Sequence, residues 1–146
     1  MSMTGSAMIA ETIQLSVTPV FLLVATGSLL NVLTGRLSRV VDRSRALMER
    51  WAETEGQEHE RVVAELRAAD RRMDVINNAI AAAVACGIVV CLLVALLFAQ
   101  AIAGFNLGLA ASWAFAIAML LLLASLVLFL IEVRMAIRNI HVPMEL

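Results

Sequence analysis

Three long apolar runs and one polar stretch make up the hydrophobic pattern of this chain. The apolar runs cover about residues 13–33, 79–103 and 109–131, and the polar stretch covers about residues 36–78. At 1.5 Å per residue, the shortest run forms about 31 Å of helix, which matches the hydrocarbon core of a bilayer. The pattern therefore predicts three transmembrane helices.

The polar stretch also has helical spacing, with one interruption. Gly56 breaks the pattern, and Thr54 with Gln57 three positions later forms a possible capping box. We expect the first helix to leave the membrane, turn near residues 54–57 and return as the second helix. The apolar positions that keep this spacing are Leu37, Val41, Met48 and Trp51 before the turn, and Val62, Leu66, Met73 and Ile76 after it.

The composition agrees with a membrane protein. Hydrophobic residues make up 62% of the 146 residues and charged residues 16%, against about 45–50% and about 25% in soluble domains. Such a chain has too little polar surface to be a soluble globular enzyme. The predicted fold is an all-α membrane protein, a single domain over residues 1–146, with an antiparallel helical hairpin between its first and second spans.

The basic residues predict the orientation of the chain. All eleven are arginines: nine lie in the polar stretch between residues 36 and 72, and Arg134 and Arg138 follow the third span. By the positive-inside rule, the hairpin and the C-terminus are cytoplasmic and the N-terminus is outside the cell membrane. The net charge of −1 gives no general attraction to nucleic acid, which we exclude as a partner.

A polar sector marks the end of the first span. At 100° per residue its members share one side of the helix, where lipid cannot satisfy polar groups. They either pack against neighbouring helices, with Arg39 and Asp42 as an ion pair, or line a pore in an oligomer. The sector and its flanking positions are Ser28, Asn31, Thr34, Gly35, Arg36, Ser38, Arg39, Asp42 and Arg43.

Small residues recur every fourth position in the second span. This spacing allows close helix packing, either against the first or third helix of the same chain or against another copy. The stripe is Ala83, Gly87, Cys91, Ala95 and Ala99. Cys86 and Cys91 are about 140° apart on a helix, so they cannot pair, and we interpret both as small buried side chains.

No motif in the chain points to catalysis. The sequence has no HExxH, G-x-S-x-G, P-loop or dinucleotide-binding pattern, and neither histidine has the neighbours of a metal site. We therefore expect no catalytic residue, no metal and no cofactor. Glu132, at the inner end of the third span, is interpreted as one member of an ion pair at the membrane interface.

Three segments carry a resemblance to a known family. They are LNVLTGRLSRVVDR at 30–43, the leader close to IQLSVTPVFLL, and RRMDVINNAI at 71–80. In these segments the chain resembles a prokaryotic family of small membrane proteins known only as a domain of unknown function. The resemblance implies a three-helix membrane protein with a polar helical insert and implies no activity. It points to the matching positions Asn31, Thr34, Gly35, Arg36, Asp42 and Arg43.

The three predicted spans make the lipid bilayer a partner of this protein. Three functional hypotheses follow. The leading one is a homo-oligomeric structural or interaction protein that uses its hairpin for assembly or docking. The second is an oligomeric ion channel lined by the sector from Ser28 to Asp42, because three spans are too few to enclose a conduit in one chain. The third is binding of anionic lipid by the arginine collar, which begins with Arg36 and Arg39.

Overall fold

Three α-helices form the part of the chain that the structure, a computed structural model, describes, namely residues 2–104 and 106–138. They are α1 (Ser2–Trp51), α2 (Gln57–Ala103) and α3 (Gly108–Arg138), and no strand occurs among these residues. Each helix is long and apolar enough to cross a membrane. The predicted all-α fold with three spans is therefore confirmed, while residues 1, 105 and 139–146 of the predicted domain lie outside the described residues.

The first two helices extend well beyond a bilayer. With 50 and 47 residues, α1 and α2 are about 75 and 70 Å long, against about 30 Å for the hydrocarbon core. The first span therefore continues without interruption into the polar stretch, as the helical spacing predicts. Arg50 lies in the last turn of α1, and Glu58 and Glu60 lie in the first turn of α2. Each of these charges interacts favourably with the dipole of its helix.

The turn between α1 and α2 lies where the sequence predicts it, but the predicted capping box is wrong. Gly56, with a positive φ of 68°, directly precedes the first residue of α2. The Thr54 hydroxyl is buried without a hydrogen-bond partner. Because Gly56, and not Thr54, stands next to α2, the hydroxyl is two residues too early to cap the helix.

A second glycine ends α2. Gly104 has a positive φ of 70°, and its N–H donates to the carbonyl of Gln100 at 3.0 Å. This is the left-handed C-terminal cap that glycine adopts without a steric penalty.

The chain divides into two compact units, the first of which comprises Met1–Leu30 and Ala82–Ala124. Its core is formed by Cys86, Val90 and Ala118, with leucines of α1 and α3 packed around them. The buried Thr26 hydroxyl donates to the carbonyl of Leu22 at 2.8 Å, which satisfies it within its own helix.

The second unit comprises Asn31–Ala81 and Ser125–Leu146. Its described core combines apolar side chains of α1 and α2 with two buried polar side chains of α3, Ser125 and Glu132. Ser125 Oγ donates to the carbonyl of Ala79 at 2.8 Å and so bonds α3 to α2.

Buried residues recur every seven positions along each helix. A seven-residue repeat is typical of helices that pack as in coiled coils, where a side chain of one helix fits into a hole between side chains of the next. The repeated buried positions are Thr26, Leu33, Val40 and Leu47 in α1; Val62, Ala69, Ile76, Ala83 and Val90 in α2; and Ala111, Ala118, Ser125 and Glu132 in α3.

The apolar spans face mainly outwards. In the most apolar windows of α1, α2 and α3, only 17%, 22% and 11% of the residues are buried within the chain. Large side chains such as Phe21 and Leu120 are exposed. This outward apolar surface is the surface that a bilayer covers.

Candidate functional site

A buried carboxylate holds one helix of the second unit to the other two. The Glu132 side chain is 1% exposed, and its two oxygens accept from Arg36 Nη1 at 2.7 Å and Arg72 Nη2 at 2.8 Å. We call these three residues the carboxylate clasp. The predicted ion pair at Glu132 thus joins α3 to both α1 and α2.

Arg36 makes a second contact that fixes its position. Its guanidinium carbon lies 5.1 Å from the ring centre of Phe129, one turn before Glu132 on α3. A guanidinium at this distance over an aromatic face is attracted to the ring. Arg36 is therefore held to α3 both by charge and by packing.

A groove of about 650 Å³ opens beside the carboxylate clasp, within the second unit. Its polar lining includes four arginines and two glutamates, and its floor contains apolar residues of α1 and α2 such as Val40, Leu47 and Ala69. We call this the arginine groove. Its charged residues are Arg36, Arg39, Arg43, Arg72, Glu65 and Glu132.

The structure divides the predicted polar sector into two sides of α1. One side consists of the arginines, which turn towards the arginine groove. The other side is exposed and faces away from the buried line through Leu33 and Val40. Its members are Ser28, Asn31, Thr34, Gly35, Ser38 and Asp42.

The outward side of α1 satisfies its hydroxyls locally. Ser28 Oγ donates to the carbonyl of Val24 and Thr34 Oγ1 to that of Asn31, each at 3.1 Å. Around Gly35 the space is open, since nothing lies within 4 Å of where a Cβ would be. None of these contacts joins the outward side to α2 or α3.

Two ion pairs join the two arms of the hairpin. Arg43 pairs with Glu65 at 3.0 Å and Arg50 with Glu58 at 3.5 Å. Arg50 and Glu58 lie close to the turn, whereas Arg43 and Glu65 lie farther from it. This order of pairing is that of an antiparallel hairpin. The ion pairs of the described residues do not include Arg39 with Asp42.

The small-residue stripe of α2 is only partly used within the chain. Ala83 is buried, and a Cβ on Gly87 would lie 3.9 Å from Leu23. The remaining three members, Cys91, Ala95 and Ala99, are exposed. The expectation that both cysteines are buried is therefore right for Cys86 and wrong for Cys91.

Sequence reasoning missed Glu65 and Arg72 as residues of the groove, and it missed the pairing of Glu132 with Arg36 and Arg72. The signal available was the position of Glu132 and the arginines just beyond the predicted spans. Within the described residues, no three His, Cys, Asp or Glu side chains come together as a metal site.

Comparison with known proteins gives a family match. Residues 16–142 match the sequence model of a family described as "Protein of unknown function (DUF2721)". The match confirms the resemblance to a family of unknown function. No curated protein and no solved structure matches the chain.

Proposed function

We propose that this chain, which belongs to the DUF2721 family of proteins of unknown function, is a homo-oligomeric membrane protein. In this proposal, copies meet through the outward side of α1 around Asn31. The hairpin lies in the cytoplasm and serves as a docking surface for the assembled protein.

The observation that carries the proposal is the exposure of amide side chains at the ends of the predicted spans. Asn31, Asn77 and Asn78 are all exposed. Asn31 lies in the last turn of the first span, where lipid offers no hydrogen-bond partner. A second copy supplies such partners, since asparagine amides bond across membrane helices.

Gly35 supports the same surface. It lies one turn after Asn31, and the space beyond it is open. Small residues let two membrane helices approach closely enough for backbone contact and side-chain hydrogen bonds.

The test is the copy number of the protein, measured by native mass spectrometry after release from lipid nanodiscs. We expect the wild type to form a uniform oligomer and Gly35→Leu to shift it to lower copy numbers. Ala116→Leu is the matched control, because it places the same leucine side chain at an exposed position of α3. A monomeric wild type, or equal effects of the two substitutions, would contradict the proposal.

Exposed apolar side chains on the hairpin support its role in docking. Met48 is 59% exposed and Trp51 48% exposed, next to the polar turn. Tryptophan is enriched at protein interfaces because it buries a large area with little loss of entropy. Replacing residues 46–66 with a short linker should abolish capture of a protein partner without preventing membrane insertion. Retained capture would assign the partner site elsewhere.

An oligomeric ion channel is the second candidate, favoured by the same outward polar side. In a ring of copies this side would line the axis if it faced inwards. Asn31→Leu distinguishes the two functions. Loss of the oligomer supports an interface at Asn31, whereas loss of ion flux with an unchanged copy number supports a pore.

A further inference from the structure

The arginine groove has more positive charge than its own carboxylates neutralise. Four arginines face two glutamates, which leaves two positive charges in excess. Both oxygens of Glu132 are already engaged by Arg36 and Arg72. The groove therefore has no free carboxylate near the clasp for a further cation, and it favours an anion.

Two hydrogen-bonding groups of the groove have no acceptor among the described residues. Arg72 Nε is buried and has no hydrogen-bond partner. Arg39 lines the groove and takes part in none of the ion pairs that the described residues form. Both arginines therefore keep N–H donors that an acceptor bound in the groove can use.

The position of the groove along the helices indicates where its anion comes from. Arg36 and Arg39 follow the predicted end of the first span by three and six residues, or about 5 and 9 Å. Glu132 directly follows the predicted end of the third span. The headgroup layer extends about 5–7 Å beyond the hydrocarbon core, so long arginine side chains at these positions reach lipid phosphates.

We propose that the arginine groove binds the phosphate group of an anionic phospholipid, held by the guanidinium groups of Arg39 and Arg72. Guanidinium groups match phosphate geometry and remain charged at any physiological pH. Arg36 and Glu132 position Arg72 through the carboxylate clasp. The ligand is a membrane component, and the site is separate from the outward side of α1 that the proposed function uses.

The experiment measures lipid binding to the full-length protein by native mass spectrometry in detergent. The probes are phosphatidylglycerol, phosphatidylcholine and inorganic phosphate, tested at equal concentrations. The test variant is Arg39→Gln, which breaks none of the ion pairs described above. The control is Arg71→Gln, which removes an exposed arginine next to Arg72 that does not line the groove.

We expect Arg39→Gln to weaken phosphatidylglycerol binding by about tenfold or more, which corresponds to about 1.4 kcal/mol. Arg39→Lys keeps the charge but loses the bidentate contact. Its affinity for phosphatidylglycerol should therefore lie between those of the wild type and Arg39→Gln. Arg71→Gln should stay within about twofold of the wild type, because Arg71 does not line the groove. The same spectra report the copy number, so a change in assembly is distinguished from a loss of lipid.

Three results would overturn the proposal. Equal losses in Arg39→Gln and Arg71→Gln would indicate general attraction of lipid to the arginine collar. Equal binding of phosphatidylcholine would remove the preference for an anionic lipid. Displacement of phosphatidylglycerol by an equal concentration of inorganic phosphate would assign the site to a free anion.

Discussion

Glu132 is the side chain on which the packing of α3 against the hairpin arms depends most directly. It is almost fully buried, and both of its oxygens are bound by arginines from different helices. A buried carboxylate is stable only when paired and hydrogen-bonded. The same contact also means that Arg36 and Arg72 share one ion-pair partner.

We predict that Glu132→Gln destabilises the protein by about 3 kcal/mol. Removing one partner of a buried ion pair costs about 3–5 kcal/mol, and the two arginines are 34% and 26% exposed, which favours the lower end. Thermal unfolding in detergent measures the loss. Glu65→Gln is the control, since its pair with Arg43 is exposed and worth under about 1 kcal/mol; equal shifts for the two variants would contradict the prediction.

The sequence predicted the chemistry of Glu132 but not its partners. A carboxylate at a membrane interface requires a cation, and this requirement is visible in the sequence. Its partners lie 60 and 96 residues away in the chain. Their selection depends on how each helix is rotated about its axis, which the sequence of one helix does not specify.

At the scale of elements, the turn between α1 and α2 depends on Gly56. Its φ of 68° is the left-handed conformation, which costs other residues about 1–2 kcal/mol. Gly56→Ala should therefore destabilise the turn by about 1 kcal/mol and increase protease cleavage there. Gly56→Asn should be milder, because asparagine adopts this conformation more readily. Equal protease cleavage of the wild type and Gly56→Ala would show that the conformation of Gly56 does not control local unfolding of the turn.

The seven-residue repeat predicts which deletions the hairpin tolerates. Removing residues 44–50 together with 58–64 takes seven residues from each arm and preserves the register of the buried positions. This double deletion should shorten the hairpin and leave the thermal midpoint of the remaining protein nearly unchanged. Removing residues 44–47 alone should lower it strongly, because it deletes the buried Leu47 and shortens one arm by about 6 Å while the other arm keeps its length. Similar midpoints for the two deletions would exclude the repeat as the packing rule.

The helices and their turn were predictable, but the buried side of each span was not. In the polar stretch, the helical spacing identifies Val62 and Ile76 after the turn, which are buried, but it also includes Met48 and Trp51 before the turn, which are exposed. Inside the spans, lipid-facing residues are as apolar as buried ones, and the contrast disappears. Ala83 and Ala95 thus occupy the same stripe in the sequence, yet one is buried and the other exposed.

At the scale of the whole molecule, the distribution of arginines predicts the orientation in the membrane. With Cys86 and Cys91 replaced by alanine, single cysteines at Asn106 and Glu55 report the two sides. We expect a membrane-impermeant thiol reagent to label Asn106→Cys in intact cells. It should label Glu55→Cys only after the membrane is permeabilised. The reverse pattern would place the hairpin outside.

The carboxylate clasp also constrains the order of events during biosynthesis. Glu132 is made 96 residues after Arg36 and 60 residues after Arg72. At a synthesis rate of about 5–20 residues per second, Glu132 is added about 5–20 s after Arg36. Throughout this time Arg36 and Arg72 are without the carboxylate that pairs with them in the folded protein. Closure of the clasp is therefore a late step of assembly, and a ribosome that stalls before codon 132 leaves α1 and α2 without the ion pairs that join them to α3.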